Sequence, residues 1–393
     1  MRMQKVNARA GGRIPLAEVS GLTLAEDREG RAVLLAVGDR SGVVAWASIE
    51  DGEVGRSWTT RDLDARLGAI PGHGRAQLEA VAADGAGGVL LVQEWPNRAE
   101  YVLVDGPRVV AEISLVMPAG VTAGERAGAP GAQDSRNMAE ECDEQDITVK
   151  EPGRDRKEKK GKKGKKGKKN KSGEKGTKGQ GKKGQGKKGQ GKTAQVRKGA
   201  GGSTAGERGS SGSTRLLAAS WADPKGSHTE GVVLLRDGHL LVVKEKDPPA
   251  LVEFGPAGQE PRGFGPNQWL PAGEAFSAGE GTVELTALAA WFPDRALQKA
   301  CPDLSDAGAG PTHLVLLSDK GQAVAVVPPC APAGDPFSGE FQAEVVFRVR
   351  GLPDKPEGLA VLPSGDVLIA CDLPSATMDN LVVVPRAAWE PVR

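Results

Sequence analysis

The sequence predicts an all-β protein, a β-propeller of five blades carrying a long basic, low-complexity insertion between the second and third. Three observations lead there. Similar apolar segments recur at intervals of several tens of residues, turns rich in Gly and Asp separate them at regular places, and one tract holds the chain's excess of positive charge. A repeat of that period indicates supersecondary units packed side by side, because one unit alone cannot bury both of its faces.

Composition narrows the class further. The 393 residues carry 52 Lys+Arg against 51 Asp+Glu, and a hydrophobic content of 38% with 4% aromatics excludes a bundle of membrane helices. No window approaches the roughly 18 apolar residues of a spanning helix, so the chain reads as not transmembrane. With 55 Gly and 27 Pro, turns are favoured over long helices. Met1 to Gly12 contain basic residues without an apolar run behind them, which predicts a cytoplasmic location. Cys142, Cys301, Cys330 and Cys371 are isolated from one another and from His at zinc-ligand spacing, and are expected to be plain thiols.

The repeat has five copies. The first pairs Ser20-Gly-Leu-Thr-Leu with Ala32-Val-Leu-Leu-Ala-Val-Gly-Asp39, and the second pairs Glu79-Ala-Val-Ala-Ala with Gly88-Val-Leu-Leu-Val-Gln-Glu94. The third runs from Glu230-Gly-Val-Val-Leu to His239-Leu-Leu-Val-Val-Lys-Glu245. The fourth is read from Thr286-Ala-Leu-Ala-Ala to His313-Leu-Val-Leu-Leu-Ser-Asp319, and the fifth from Glu357-Gly-Leu-Ala-Val to Asp366-Val-Leu-Ile-Ala-Cys-Asp372. In three copies the opening Glu and the closing acid stand 15 residues apart.

Each copy reads as a hairpin. Its strands are continuous apolar runs, as in strands buried on both faces, and turns such as Ala83-Asp84-Gly85, Arg236-Asp237-Gly238 and Pro363-Ser364-Gly365 join them. Third strands follow at 43–48, 101–104, 250–254, 323–327 and 381–384, and a fourth at 109–115. Four-stranded units around an axis are propeller blades. Five fit the spacing once the insertion is removed; six would need a unit that is not visible. The last copy has three strands, so residues 3–9 are expected to supply its outer one and close the ring. In the fourth copy a long turn from Pro293 to Gly310 is expected to hold a helical turn at 296–300. The chain thus divides into 1–117, an insertion at 118–214, and 215–393.

In a blade the first strand starts, and the second ends, on one face of the disc. Glu79, Glu230 and Glu357 therefore share a face with Asp39, Glu94, Glu245, Asp319 and Asp372, and the first three should stand at the channel mouth. Carboxylates meeting there would repel unless neutralised, and their hard oxygens suit Ca²⁺ or Mg²⁺. The same acids equally suit strand-end capping copied into every unit, so both readings stand. His228, two positions before Glu230, alternates to the same side and is the candidate catalytic base; His73, in the loop before Glu79, is a further one.

The phrases Glu18-Val-Ser-Gly-Leu with Leu35-Ala-Val-Gly-Asp39, His313-Leu-Val-Leu-Leu-Ser-Asp319, and Lys355-Pro-Glu-Gly-Leu-Ala360 with Gly365-Asp-Val-Leu-Ile369 resemble the SdiA-regulated family and its relatives, the phytase-like esterase and senescence-marker/gluconolactonase-like propellers. The resemblance covers four or five hairpins. For the lactonase-like branch it implies a divalent cation held at the channel by acids and Asn.

Residues 118–214 break the pattern. An acidic stretch gives way to Lys-Lys-Gly triplets, in which Lys159, Lys160, Lys162, Lys163, Lys165, Lys166, Lys168 and Lys169 recur, and then to a Gly-Lys-Lys-Gly-Gln period with Lys182, Lys183, Lys187 and Lys188. Between 154 and 198 stand 21 basic and 3 acidic residues, a net of +18, which leaves 31 basic and 48 acidic elsewhere, a net of −17. With almost nothing to bury, this tract is expected to be disordered. Its charge predicts binding of polyanions such as nucleic acid, polyphosphate or an anionic surface by counterion release. Gly186-Lys-Lys-Gly-Gln-Gly-Lys192-Thr193 matches the P-loop expression, yet no apolar strand precedes it and no helix follows, so no nucleotide cofactor is expected. A further expectation is that its lysines fold back over the acidic mouth and compete with a cation there.

The leading functional reading is a binding or scaffold protein with a divalent-cation site at the mouth and a polyanion-binding loop. The alternative is a metal-dependent hydrolase of lactones or esters, with Glu79, Glu230 and Glu357 as ligands.

Overall fold

Apolar runs that alternate with tight turns build antiparallel sheet by the shortest connections, and the strands follow in chain order. The computed structural model describes residues 3–27, 29–63, 67, 77–93, 97–103, 108–118, 210–223, 229–271 and 273–389. Two short strands come first, β1 (Gln4–Asn7) and β2 (Arg9–Gly12). Then β3 (Val19–Glu26), β4 (Ala32–Gly38), β5 (Ser41–Glu50) and β6 (Glu53–Asp62) form an antiparallel run. A second run is β7 (Leu78–Ala83), β8 (Gly88–Gln93), β9 (Arg98–Leu103) and β10 (Arg108–Val116).

After helix α1 (Ser210–Ala222), a third run comprises β11 (Thr229–Leu234), β12 (Leu240–Lys244), β13 (Ala250–Gly255) and β14 (Gly281–Pro293). Helix α2 (Arg295–Ala300) precedes β15 (Asp306–Ala309), β16 (Leu314–Ser318) and β17 (Ala323–Val327). After the short β18 (Gly339–Phe341), which pairs with the end of β14, β19 (Val345–Arg350) completes this fourth run. The last run is β20 (Lys355–Val361), β21 (Val367–Asp372) and β22 (Leu381–Val384), with β2 as its outer strand.

The first strands of the five runs touch in a cycle, β3 to β7 to β11 to β15 to β20 and back to β3. That closure makes the molecule a β-propeller. Buried apolar side chains gather at each contact between runs: Leu34 with Leu368, Leu35 with Val81, Val242 with Val92, Leu241 with Leu316, and Val315 with Ile369 share clusters. Every middle strand is sandwiched between two neighbours, which is why Val33 to Val37 and Leu240 to Val243 read as unbroken apolar runs.

Two expectations are corrected. The fourth run does not open at Thr286, because residues 286–291 lie in β14, the outer strand of the third run. Its first strand is β15, inside the segment expected to be a long turn, while the expected helical turn is α2, capped by the Asp294 side chain on Leu297 N–H at 2.7 Å. The N-terminal segment also serves two runs: Gln4–Asn7 pairs parallel with β19, and Arg9–Gly12 pairs antiparallel with β22. The strands β10 and β14 pair in parallel over 111–116 and 281–286, so the second and third runs share one continuous sheet.

The chain divides into two units, 1–126 with 204–393, and 127–203; the lysine tract falls in the second and lies outside the described residues. Where the first unit resumes, α1 places Leu217 and Trp221 four residues apart on one face and buries both. The Trp221 ring lies 5.2 Å from that of Phe254, and its N–H donates to Leu115 O at 3.2 Å. Trp221→Ala is expected to cost about 3–5 kcal/mol, read as a lowered urea midpoint for the propeller. No helix among the described residues is long and apolar enough to cross a membrane.

Candidate functional site

The first strands of four runs each carry one extra residue near their start. Pairing shifts between Val19 and Gly21, Leu78 and Ala80, Thr229 and Gly231, and Pro356 and Gly358. The residues inside these bulges are Ser20, Glu79, Glu230 and Glu357, and a bulge re-aims the side chain it carries. In the fourth run Ser305 takes the matching place just before β15, its N–H donating to Leu317 O at 2.9 Å. All five line one cavity of about 210 Å³.

Asp39, Glu245, Asp319 and Asp372, at the ends of the second strands, line the same cavity, as the blade geometry predicts; Glu94, His73 and His228 lie outside the described residues. Sequence reasoning missed Glu18 and Lys355. Glu18 stands just before the first bulge with a φ of 51°, and Lys355, two residues before Glu357, ends on the same side of the rim. Eight carboxylates therefore face the cavity, with Lys355 as the single cation among its lining residues.

Part of that charge is compensated nearby. The Lys355 ammonium lies 3.4 Å from Glu357 and 3.8 Å from Asp372, Arg40 pairs with Glu18, and Lys246 pairs with Glu245. Burial raises the Glu357 carboxyl to about 7; Lys355 opposes the shift, and the charges of Asp319 and Asp372 add to it. Burial also raises Asp39, to about 6, helped by a hydrogen bond with Glu18 and by the charges of Glu18 and Asp372. Asp319 and Asp372 are shifted upward mainly by burial as well. The Oδ1 of Asp39 is buried without a hydrogen-bond partner.

The two serines do a different job at the same position. Ser20 donates its hydroxyl to Leu78 O at 2.5 Å and Ser305 donates to Pro356 O at 2.9 Å, each fastening its run to the next. Below Ser305, Asp306 is fully enclosed. Its Oδ1 accepts from Ala307 N–H at 2.7 Å, its Oδ2 from Leu359 N–H at 2.5 Å, and Leu22 N–H donates to it too. Gly231 makes room for it, since a Cβ there would stand 2.7 Å from Asp306 Oδ1.

As donors, the mouth carboxylates suit a hard cation. Among the described residues, however, no group of three or more His, Cys, Asp or Glu is arranged to hold a metal ion. Glu79, Glu230 and Glu357 share the cavity without forming such a group. What the arrangement provides is a concave, negatively charged surface.

The fold and this rim define a β-propeller with an acidic channel mouth. Solved structures similar to the chain include glutaminyl cyclase of Myxococcus xanthus (9% identity, 97% of each chain, TM-score 0.40) and a calcium-binding regucalcin of Agrobacterium tumefaciens (8% identity, 98% of this chain and 95% of that one, TM-score 0.40). A PQQ-bound aldose sugar dehydrogenase of Streptomyces coelicolor is similar at 12% identity, over 95% of each chain, with a TM-score of 0.38. No protein-family model and no curated protein sequence matches the chain.

Proposed function

We propose that the chain is a five-bladed binding propeller, of the SdiA-regulated and gluconolactonase-like kind and cytoplasmic, whose acidic mouth takes a cationic ligand and whose lysine tract takes polyanions. The observation that carries the first part is the gathering of eight carboxylates from all around the ring onto one cavity against Lys355. A solvated Ca²⁺ or Mg²⁺, or an ammonium group, fits that field without inner-sphere ligands. The hydrolase reading requires Glu79, Glu230 and Glu357 to act as one ligand set, and the described residues offer no such set.

Calorimetric titration with Ca²⁺, Mg²⁺ and spermidine at low salt tests this. At least one should bind, and the double variant Glu79→Gln/Glu230→Gln should weaken it by about tenfold. Absence of heat with all three probes would overturn the proposal.

For the tract, its net charge of +18 between 154 and 198 supports sequence-independent polyanion binding. The full chain should bind a fluorescent 30-nucleotide single strand whose affinity falls steeply between 50 and 200 mM salt, on the order of a thousandfold. Deleting 154–198 should abolish it. Retention of binding after that deletion would place the contact elsewhere.

A further inference from the structure

A second cavity, more than twice the size of the mouth, opens on the opposite face of the ring. It measures about 490 Å³ and lies between the first and second runs, beside the turns 26–32 and 84–88 that join first strands to second strands. The volume is within the roughly 300–1,000 Å³ usual for small-molecule sites. Its floor is formed by Val33, Leu35, Val89 and the half-buried Trp46, an indole set among aliphatic side chains.

One device, used twice, fixes both walls. Asp27 Oδ1 accepts from Glu29 and Arg31 N–H, each at 2.9 Å, and Asp84 Oδ1 accepts from Ala86 and Gly88 N–H at 2.9 and 2.7 Å. Each aspartate thus bonds the amides two and four residues on and holds its turn. The other oxygen of Asp84 accepts from Phe276 N–H at 2.9 Å and from the Tyr101 hydroxyl. A cleft whose walls are already ordered loses little entropy when it is filled.

The rim is negative. Among the described lining residues Glu26, Asp27, Glu29 and Asp84 stand against Arg31, a net of −3, and counting Arg28 of the same turn leaves −2. Arg31 is engaged by Asp27 and Glu29. Glu26, exposed at the end of β3, is the carboxylate that a bound cation reaches without breaking a turn. The Arg61 guanidinium carbon, outside the cleft, already stands 6.0 Å from the centre of the Trp46 ring, so a ligand's positive charge is better placed at the rim than over the indole.

We propose that this cleft binds a small aromatic amine, its ring on Trp46 among the aliphatic side chains and its ammonium group at Glu26. The assignment does not rest on the reading of the mouth. The full chain is titrated by calorimetry with three probes of one shape: tryptamine, the neutral tryptophol and the anionic indole-3-propionate. Tryptamine should bind about tenfold more tightly than tryptophol, and indole-3-propionate more weakly than either. Glu26→Lys reverses an exposed charge and should erase the preference for tryptamine over tryptophol, while Trp46→Leu should weaken both by a similar factor. The mouth variant Glu79→Gln/Glu230→Gln should leave tryptamine binding unchanged, which separates the two sites.

Equal affinity for tryptamine and tryptophol, no heat with tryptamine at millimolar concentration, or a preference that survives Glu26→Lys would overturn the assignment. Loss of tryptamine binding in the mouth variant would place the amine at the mouth and overturn it as well. Should Trp46→Leu fail to fold, Glu26→Lys on the exposed rim still decides.

Discussion

Asp306→Ala is expected to be among the most destabilising single substitutions in this protein. Asp306 is buried, and its two oxygens accept N–H groups from its own strand, from β20 and from β3, three of the five strands that surround the axis. Alanine leaves those three donors buried and unpaired, at about 1–3 kcal/mol each, or about 3–9 kcal/mol together. That is a large share of a total stability of about 5–15 kcal/mol. Asn keeps one acceptor oxygen and turns the other position into a donor, so Asp306→Asn should fall between wild type and alanine. Thermal unfolding of the three proteins checks the order; an alanine variant within about 1 kcal/mol of wild type would show that the axis does not depend on this carboxyl.

A pH dependence accompanies the same residue. Burial raises the folded-state Asp306 carboxyl well above its ordinary range. Below that range both states hold the proton. As pH rises, the unfolded chain releases it while the folded chain keeps it, so this group's contribution to stability falls with pH until the folded carboxyl titrates. Asp306→Asn should remove that component of the slope.

Cation binding at the mouth should strengthen markedly between pH 5.5 and 8. Glu357 at about 7 and Asp39 at about 6 are largely protonated at the lower end, which removes two of the eight charges that face the cavity. Raising the pH restores them, and the affinity should rise by an order of about ten. At pH 6.5 binding should release protons, detectable by titrating in buffers of different ionisation enthalpy. Glu357→Gln combined with Asp39→Asn should flatten the profile, and an unchanged profile in that variant would remove both groups from the site. The stability term has the opposite sign: both pKa values are raised on folding, so their contribution declines as pH climbs from the ordinary carboxylate range through about 7. The mouth becomes better for a cation as it becomes worse for the fold.

The repeat was legible because strands packed between two neighbours must be apolar on both faces. Val33 to Val37, Val89 to Val92 and Leu240 to Val243 carry that signature, and each is a second strand. Outer strands carry it weakly. β6, with Arg56, Ser57, Thr59 and Thr60 exposed, is the edge strand of its sheet among the described residues and went unseen. β14 misled for the converse reason: its end is buried by β13, β18 and Pro336, so Ala287 to Phe292 read like a first strand. The true first strand, Asp-Ala-Gly-Ala at 306–309, is buried through hydrogen bonds to a carboxyl rather than through apolar side chains, and hydrophobic periodicity cannot register it.

The sequence by itself determined the ring of hairpins, the face on which Glu79, Glu230 and Glu357 stand, and the separation of a +18 tract from a −17 body. Each is a local or additive property, fixed by the two-residue period of a strand, by a turn, or by counting charges. Tertiary structure decided which acids are compensated, with Arg40 on Glu18 and Lys355 between Glu357 and Asp372, and that Asp306 ties three runs together. It also decided that Arg61 ends beside Trp46 with an N–H unpaired. Those outcomes depend on distances between residues tens to hundreds of positions apart, which only the closing of the ring sets.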